Sequence, residues 1–450
     1  MDYVTRRKFM QGGALAAAAL CSPAVHGSLL ETQPPDVFNS GAPGNEIRFG
    51  IIGVGMEGSS LLTAALALPG VKCVGAADLY DGRQELAREI TGDPKLPVTR
   101  NYQELLGRTD VDCVVAAVPD FWHKQVAIDA CNAGKPVYCE KPMSYTVAEG
   151  FEMVHAAESS KIIVQIGAQR LSSAICKKTK EMYQSDAIGD VTMVELSLGR
   201  NSPDGAWEYP PPADLSPSNL AWDTWLKDTP KIPFDPYKFA RWRCWKDYST
   251  GVAGDMMVHL VSAMLFTFGW NSPPDSAMCL GGISRWKDGR DMPDLQTILL
   301  DYHGIPVYVS MNFGTDIPER NRYMGPKGFI DQTNYTIEYY PQAGVDTGPS
   351  DYGKAVPQKL REEYLQAWHM KNDPAVGKEP LSEHVVFFGD DQNDLRPHLW
   401  NFFEAVKGHG AVVEDAAFGN IAAIACHMAN ESYFRKQRVF WDAQSRSIRS

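Results

Sequence analysis

Glu140 and Lys141 stand side by side in the stretch KPVYCEKPMS, where an apolar run ends just before Pro142. Alone, such a pair reads as a salt-bridged surface turn. At the tip of a buried strand it reads differently, because a desolvated lysine can trade protons with a bound substrate. A second constellation supplies that context. An apolar strand runs into Gly53-x-Gly55-x-x-Gly58 and then into an apolar-rich helix. In a strand–turn–helix setting this spacing is a phosphate cradle: Gly53 permits the tight turn, Gly55 lets the backbone approach a pyrophosphate, and Gly58 lets helix lie on strand. The helix N-terminus offers unpaired N–H groups to the anion. The next strand, VKCVGAAD, ends in Asp78, about where an acceptor for the adenosine ribose hydroxyls is needed. A carboxylate there favours NAD over NADP. Arg83 could offset its charge and admit NADP, and Asp78 would equally suit a cap on a helix starting near Gly82. Beside a positively charged nicotinamide, the pKa of Lys141 is expected to fall.

These residues must be positioned by a sheet. VDCVVAAVPDFWHKQVAIDACNAG reads as a buried strand followed by a helix from about His123; KPVYCEKP and KIIVQIGAQR read as further strands. Strands alternating with helices of this length imply a parallel sheet covered on both faces, with ligands at the C-terminal strand ends. The cofactor-binding set expected there comprises Gly53, Gly55, Met56, Glu57, Gly58, Asp78, Arg83, Pro119, Trp122, His123, Glu140, Lys141 and Gln169, with Arg170 next to it on the substrate side. His123 has a plainer reading as a helix-start residue without a catalytic part.

The 450 residues suit two domains, and 44% hydrophobic with 22% charged residues is a globular composition. A net charge of -12, without a basic patch beyond the first ten residues, argues against nucleic acid. TRRKFM followed by GGALAAAALCSPAV has the order of a twin-arginine export leader, and its apolar run is too short to span a membrane. The expectation is a signal peptide over 1–27, a linker over 28–45, periplasmic export and no integral membrane association. The nine cysteines show no C-x-x-C pair and no metal spacing. No metal site and no disulfide are expected.

Together, Gly53-x-Gly55-x-x-Gly58, Asp78, CEKP and GDMMVHL resemble the Gfo/Idh/MocA family of NAD(P)-dependent sugar and polyol oxidoreductases. The resemblance implies an α/β fold: an N-terminal doubly wound Rossmann domain (46–170) and a C-terminal α+β substrate-binding and oligomerisation domain (171–450) with a large, mostly antiparallel open sheet. DVTMVELSLGRN, DSAMCLGGISRW, DLQTILLDYHGIPVYVSMNFG and RYMGPKGFIDQTNYTIEYY fit its strands, and GNIAAIACHMANESYFRKQ a late helix. It further implies an acid and a histidine four residues apart, here Asp255 and His259, orienting a sugar hydroxyl beside Lys141 as acid/base. Relatives often carry another acid three residues after the histidine, where Ser262 stands. The insertion from about Ser202 to Thr250 is rich in aromatics, which suit sugar stacking or an oligomer contact. Arg241, Trp242 and Arg243 are its substrate-binding candidates.

The implied activity is hydride transfer between a sugar carbon and a nicotinamide, in a homo-oligomer, a dimer or tetramer, acting on a small carbohydrate. Export implies a cofactor, NAD or NADP, loaded early and held tightly. Two alternatives remain: a redox-neutral glycosidase or epimerase working through transient oxidation and elimination, and a non-catalytic sugar-binding module.

Overall fold

The computed structural model describes residues 46–342, 349–371, 384–389 and 395–450. The expected leader and linker lie outside the described residues. Six strands form the first sheet: β1 (Ile47–Ile52), β2 (Val71–Ala77), β3 (Val98–Thr99), β4 (Cys113–Ala116), β5 (Val137–Glu140) and β6 (Val164–Gly167). They are all parallel, in the order β3-β2-β1-β4-β5-β6. That is the doubly wound dinucleotide-binding order, with its crevice where the strand order reverses beyond β1 and β4. Every residue of β4, β5 and β6 is buried, which is why these strands read as unbroken apolar runs rather than alternating ones.

The helix after β2 spans Asp81–Thr91 and ends at Gly92, whose positive φ of 66° stops it. The helix after β4 spans Asp120–Asn132 and so begins three residues before the expected His123. Pro119 sits just ahead of it in extended conformation, a natural last residue before a helix whose first turn then carries Asp120. His123 therefore lies a turn inside the helix.

Ten strands form the second sheet: β7 (Met193–Gly199), β8 (Ser276–Gly282), β9 (Leu295–Tyr302), β10 (Ile305–Asn312), β11 (Arg320–Gly325), β12 (Gly328–Gln332), β13 (Thr336–Pro341), β14 (Val385–Phe388), β15 (Val439–Asp442) and β16 (Ser447–Arg449). Their order is β14-β13-β12-β11-β7-β10-β9-β8-β15-β16, antiparallel except for the parallel β7–β10 pair. The expected mostly antiparallel open sheet is present. Burial alternates along β9 and β10, as it does when only one face is packed.

The late helix runs Ala416–Arg435; Asp415 caps it, its carboxylate accepting from the Phe418 amide at 2.9 Å. It packs on β8 and on the helix Val147–Ser160 of the first sheet, so the two sheets share a partner. The helix Leu395–Val406 places Leu399, Phe402 and Phe403 in one core with Phe49, Ile51 and Leu61. Late residues thus complete the first core. The eight described cysteines are buried, Cys73, Cys113 and Cys139 among them.

Candidate functional site

The glycine turn is tight for steric reasons. Gly53 has φ of 86°, and a Cβ there would lie 2.4 Å from the Ala117 carbonyl oxygen; a Cβ on Gly58 would lie 2.0 Å from that of Gly53. Asp78, at the tip of β2, accepts from the Val54 amide at 2.8 Å and the Tyr80 amide at 3.0 Å. Its carboxylate thus bonds the glycine turn itself and does not cap the Asp81 helix. Arg83 lies 4.0 Å from Asp78 and 4.7 Å over the Phe239 ring, and its guanidinium carbon would be 3.4 Å from a Cβ on Gly55. A cavity of about 590 Å³ opens beside Gly53, Asp78, Arg83, Asn101, Pro119 and Trp122, within the roughly 300–1,000 Å³ range of small-molecule sites. Met56 is exposed at the start of its helix.

A narrower cleft of about 80 Å³ continues from it and joins Gly55, Met56 and Glu57 to Glu140, Lys141, Tyr209, Trp242 and Arg243. The Lys141 amine donates to the Asp255 carboxylate at 2.9 Å and to the Asp255 carbonyl at 3.0 Å. Arg243 donates to the same carboxylate oxygen from 3.1 Å. The side chains of Lys141, Asp255 and Arg243 are only 10%, 7% and 17% exposed. Burial opposes all three charges. Mutual attraction outweighs it: the Asp255 carboxyl is held well below the usual range, and the ammonium and guanidinium are held above theirs. This corrects the expected fall in the pKa of Lys141. In the protein alone, a paired carboxylate 114 residues away dominates.

Asp255 and His259 do sit four residues apart on one helical rod, but through a π-helical turn over Ala253–Met257 that leads into Val258–Phe268. Gly254 is what lets this turn approach the lysine loop: a Cβ there would meet Thr250, and Pro142 stands 3.3 Å away. His259 is buried, and its Nδ1 has no hydrogen-bond partner. Burial, then the charges of Lys141 and Arg170, hold it well below the ordinary histidine range, so it is neutral at pH 7. Ser262 lies 3.4 Å from Glu414, a buried carboxyl contributed from far along the chain.

Glu140 is buried and turned inward. Its oxygens accept from the Lys141 amide at 3.2 Å and from Gln169 at 2.6 Å, so Gln169 steadies Glu140 instead of lining the crevice. Burial, then the nearby Glu57, push its pKa well above the usual carboxyl range. The unfolded chain therefore loses this proton first, and stability falls as pH rises from the ordinary glutamate value through the folded one. Glu140→Gln removes that loss. Its melting temperature relative to wild type should climb as pH rises above the ordinary glutamate value; a flat difference in calorimetry from there upward would refute the assignment.

His123, Arg241 and Arg170 lie outside the walls of both cavities. His123 is buried with its ring nitrogens 2.7 and 2.8 Å from the carbonyl oxygens of Pro142 and Val118. It braces the lysine loop against the β4 end and does not face the crevice, because its helix starts a turn early. Arg241 donates to the Tyr209 carbonyl at 3.0 Å and points at Asp288, 3.9 Å away; the turn that aims Arg243 at Asp255 carries Arg241 off. Arg170 is bound to Glu319 at 2.7 Å and to Asn334. Of the insertion's aromatics, Trp222 and Trp225 stack on each other at 4.9 Å and are buried with Phe239 and Tyr248. They pack chiefly on one another; Trp225 and Phe239 also form part of the narrow cleft's wall, with Tyr209 and Trp242. Sequence reasoning missed Tyr209, Trp225 and Phe239 as cleft walls. Their only signal was aromatic density, which says that something is buried and not what covers it.

Residues 47–168 match the GFO_IDH_MocA family model, an oxidoreductase family with an NAD-binding Rossmann fold. Inositol 2-dehydrogenase 1 of Saccharopolyspora erythraea is 31% identical over 150 residues, 33% of this chain and 44% of that protein. Alpha-N-acetylgalactosaminidase of Shewanella oneidensis is 30% identical over 176 residues, 36% of this chain and 38% of that protein. The chain thus spans under half the length of these curated relatives. In three dimensions it is similar to aldose-aldose oxidoreductase from Caulobacter crescentus, with TM-score 0.62, 16% identity and coverage of 88% and 99% of the two chains. The WlbA dehydrogenase from Bordetella pertussis, solved with NADH and UDP-GlcNAcA, matches with the same score, identity and coverage. At such identity these structures show a shared fold. The family match supports the motif resemblance over the N-terminal segment.

Proposed function

We propose that this chain is an oxidoreductase acting on a CH–OH carbon of a sugar or sugar derivative, with a tightly held nicotinamide dinucleotide, NAD in preference, supplying hydride exchange. The residues present fit that group. Gly53 and Gly55 put no side chain of their own into the turn and Arg83 stands over Gly55, Asp78 lines the larger cavity, and that cavity is of ligand size. The observation that carries the reading is Lys141: its amine shares one cleft with Gly55 and Met56 of the turn and is fixed by Asp255.

In this reading Lys141 holds the substrate oxygen with its charge and exchanges a proton with it. Asp255 fixes the amine. His259, neutral and unpartnered at Nδ1, receives a proton from Lys141 as the amine takes the one the substrate hydroxyl gives up, so the lysine stays charged and the proton count closes. Glu140 and Gln169 keep the loop in place. The chain is exported by the twin-arginine route that Arg6 and Arg7 suggest, which makes a cofactor that stays bound necessary.

A second reading has its own support in the Shewanella oneidensis glycosidase match. Transient oxidation would acidify the neighbouring C–H, the glycosidic oxygen would leave by elimination, water would add across the resulting double bond, and re-reduction of the ketone would make the cycle a redox-neutral hydrolysis.

The test starts from the purified protein with nothing added. Denaturation should release a nicotinamide dinucleotide identifiable by mass spectrometry and absorbance. A panel of sugars should then reduce the bound cofactor, whereas cleavage of an aryl glycoside without added NAD selects the second reading. Protein that releases no dinucleotide and binds no added NAD or NADP would overturn both.

A further inference from the structure

We propose that the insertion segment from Asp214 to Phe239 is the outer wall of the adenosine pocket and the device that retains the dinucleotide. This rests on the dinucleotide reading above.

The segment docks on both rims of the crevice. On the β2 side, Leu220 forms an antiparallel bridge with Tyr80, Ala221 donates to the Leu79 carbonyl at 3.0 Å, and Asp81 donates to the Asn219 carbonyl at 3.0 Å. The Tyr80 hydroxyl donates to Asp214, and Arg100 reaches the Ser218 carbonyl at 3.2 Å. On the β4 side, the Trp122 indole donates to the Trp225 carbonyl and the Lys227 amine to the Phe121 carbonyl, both at 3.0 Å. The chain therefore bridges the crevice from the ribose-binding acid to the helix beyond β4.

What lies under the bridge is the larger cavity. Its inner wall is Gly53, Asp78 and Pro119; Ala221, Thr224, Trp225, Lys227 and Phe239 close the other side. Asp78 places the ribose there, so the enclosed half is the adenosine half. Phe239 does a second job. By stacking on Arg83 it holds a guanidinium over Gly55, where the pyrophosphate would be clamped between an arginine and the turn's amides. Behind this wall, Trp222, Trp225, Phe239 and Tyr248 form their own buried core with Phe121 and Tyr80. A wall packed in this way resists fraying, and a nucleotide beneath it leaves only when the rim contacts release.

The ties suggest mild variants. Tyr80→Phe removes the hydroxyl bonded to Asp214, and Lys227→Ala removes the amine bonded to Phe121; neither empties the aromatic core. The double variant should fold, as judged by circular dichroism and a cooperative melt, and release its dinucleotide about tenfold faster than wild type on dilution into a NADH-scavenging solution. Leu280→Ala, at an exposed side chain on β8 of the second sheet, should release it at the wild-type rate. In wild-type protein, amide exchange across residues 219–227 should be slower with NAD bound than after stripping, a measurement that needs no variant. A folded double variant with unchanged release, or exchange across 219–227 indifferent to NAD, overturns the inference and leaves the dinucleotide reading intact. Wild-type protein that neither carries nor binds a dinucleotide fails the reading itself.

Discussion

Lys141→Met should lower kcat by about 10²–10⁴-fold while the dinucleotide stays bound. Methionine keeps the length and apolar stem of lysine and deletes the ammonium that lines the cleft beside the glycine turn. Asp255 is not orphaned, because Arg243 still donates to it from 3.1 Å, so the fold has no reason to fail. The cofactor wall lies elsewhere, among Asp78, Trp225 and Phe239, so retention should match wild type by mass spectrometry. Loss of kcat with retention of cofactor separates a chemical role from a binding one. Lys141→Arg should not rescue, since a planar guanidinium cannot occupy the point where a compact amine exchanges its proton. A Lys141→Met enzyme with kcat within a fewfold of wild type would remove this residue from the chemistry.

The glycine turn and Lys141 were legible in the sequence because each is local: a strand, a turn and a helix declare themselves over a dozen residues, and the residue after the β5 tip inherits its place from the sheet. Asp78 was legible for the same reason, though not its choice between helix cap and crevice; only the Val54 amide, 24 residues earlier, decides that. The second sheet was read through the family resemblance and its alternating strands. What failed was long-range. Burial of Lys141 could be foreseen, but the sign of its pKa shift depended on Asp255, and that pairing exists only because a π turn and Gly254 let two segments meet. His123 was misplaced because its helix begins a turn before the position read from the sequence. The aromatic insertion gave density without direction: Trp222 and Trp225 look alike in sequence whether they meet a sugar, a partner or, as here, each other.

The dependence on Asp255 yields the largest expected change in stability. One carboxylate serves two buried cations, Lys141 at 2.9 Å and Arg243 at 3.1 Å. Asp255→Ala leaves both without a counter-charge in a cleft too small to hydrate them freely, and breaking a buried pair in this way typically costs about 3–5 kcal/mol. Asp255→Asn keeps the shape and one acceptor, loses the charge, and should fall between. The folded carboxyl lies far below its ordinary value, so its contribution is fully present above the unfolded aspartate range and is lost as pH falls through the folded one; the gap between wild type and Asp255→Ala should narrow only below about pH 4. Urea unfolding at neutral pH measures the gap, and a loss under about 1 kcal/mol would show that the cations find other partners. Coupling gives a sharper check. Adding Lys141→Met to Asp255→Ala removes one of the two stranded charges, so the double variant should be more stable than Asp255→Ala alone. That reversal is what a shared counter-ion requires, and a merely additive loss would mean the three side chains are neighbours without being a unit.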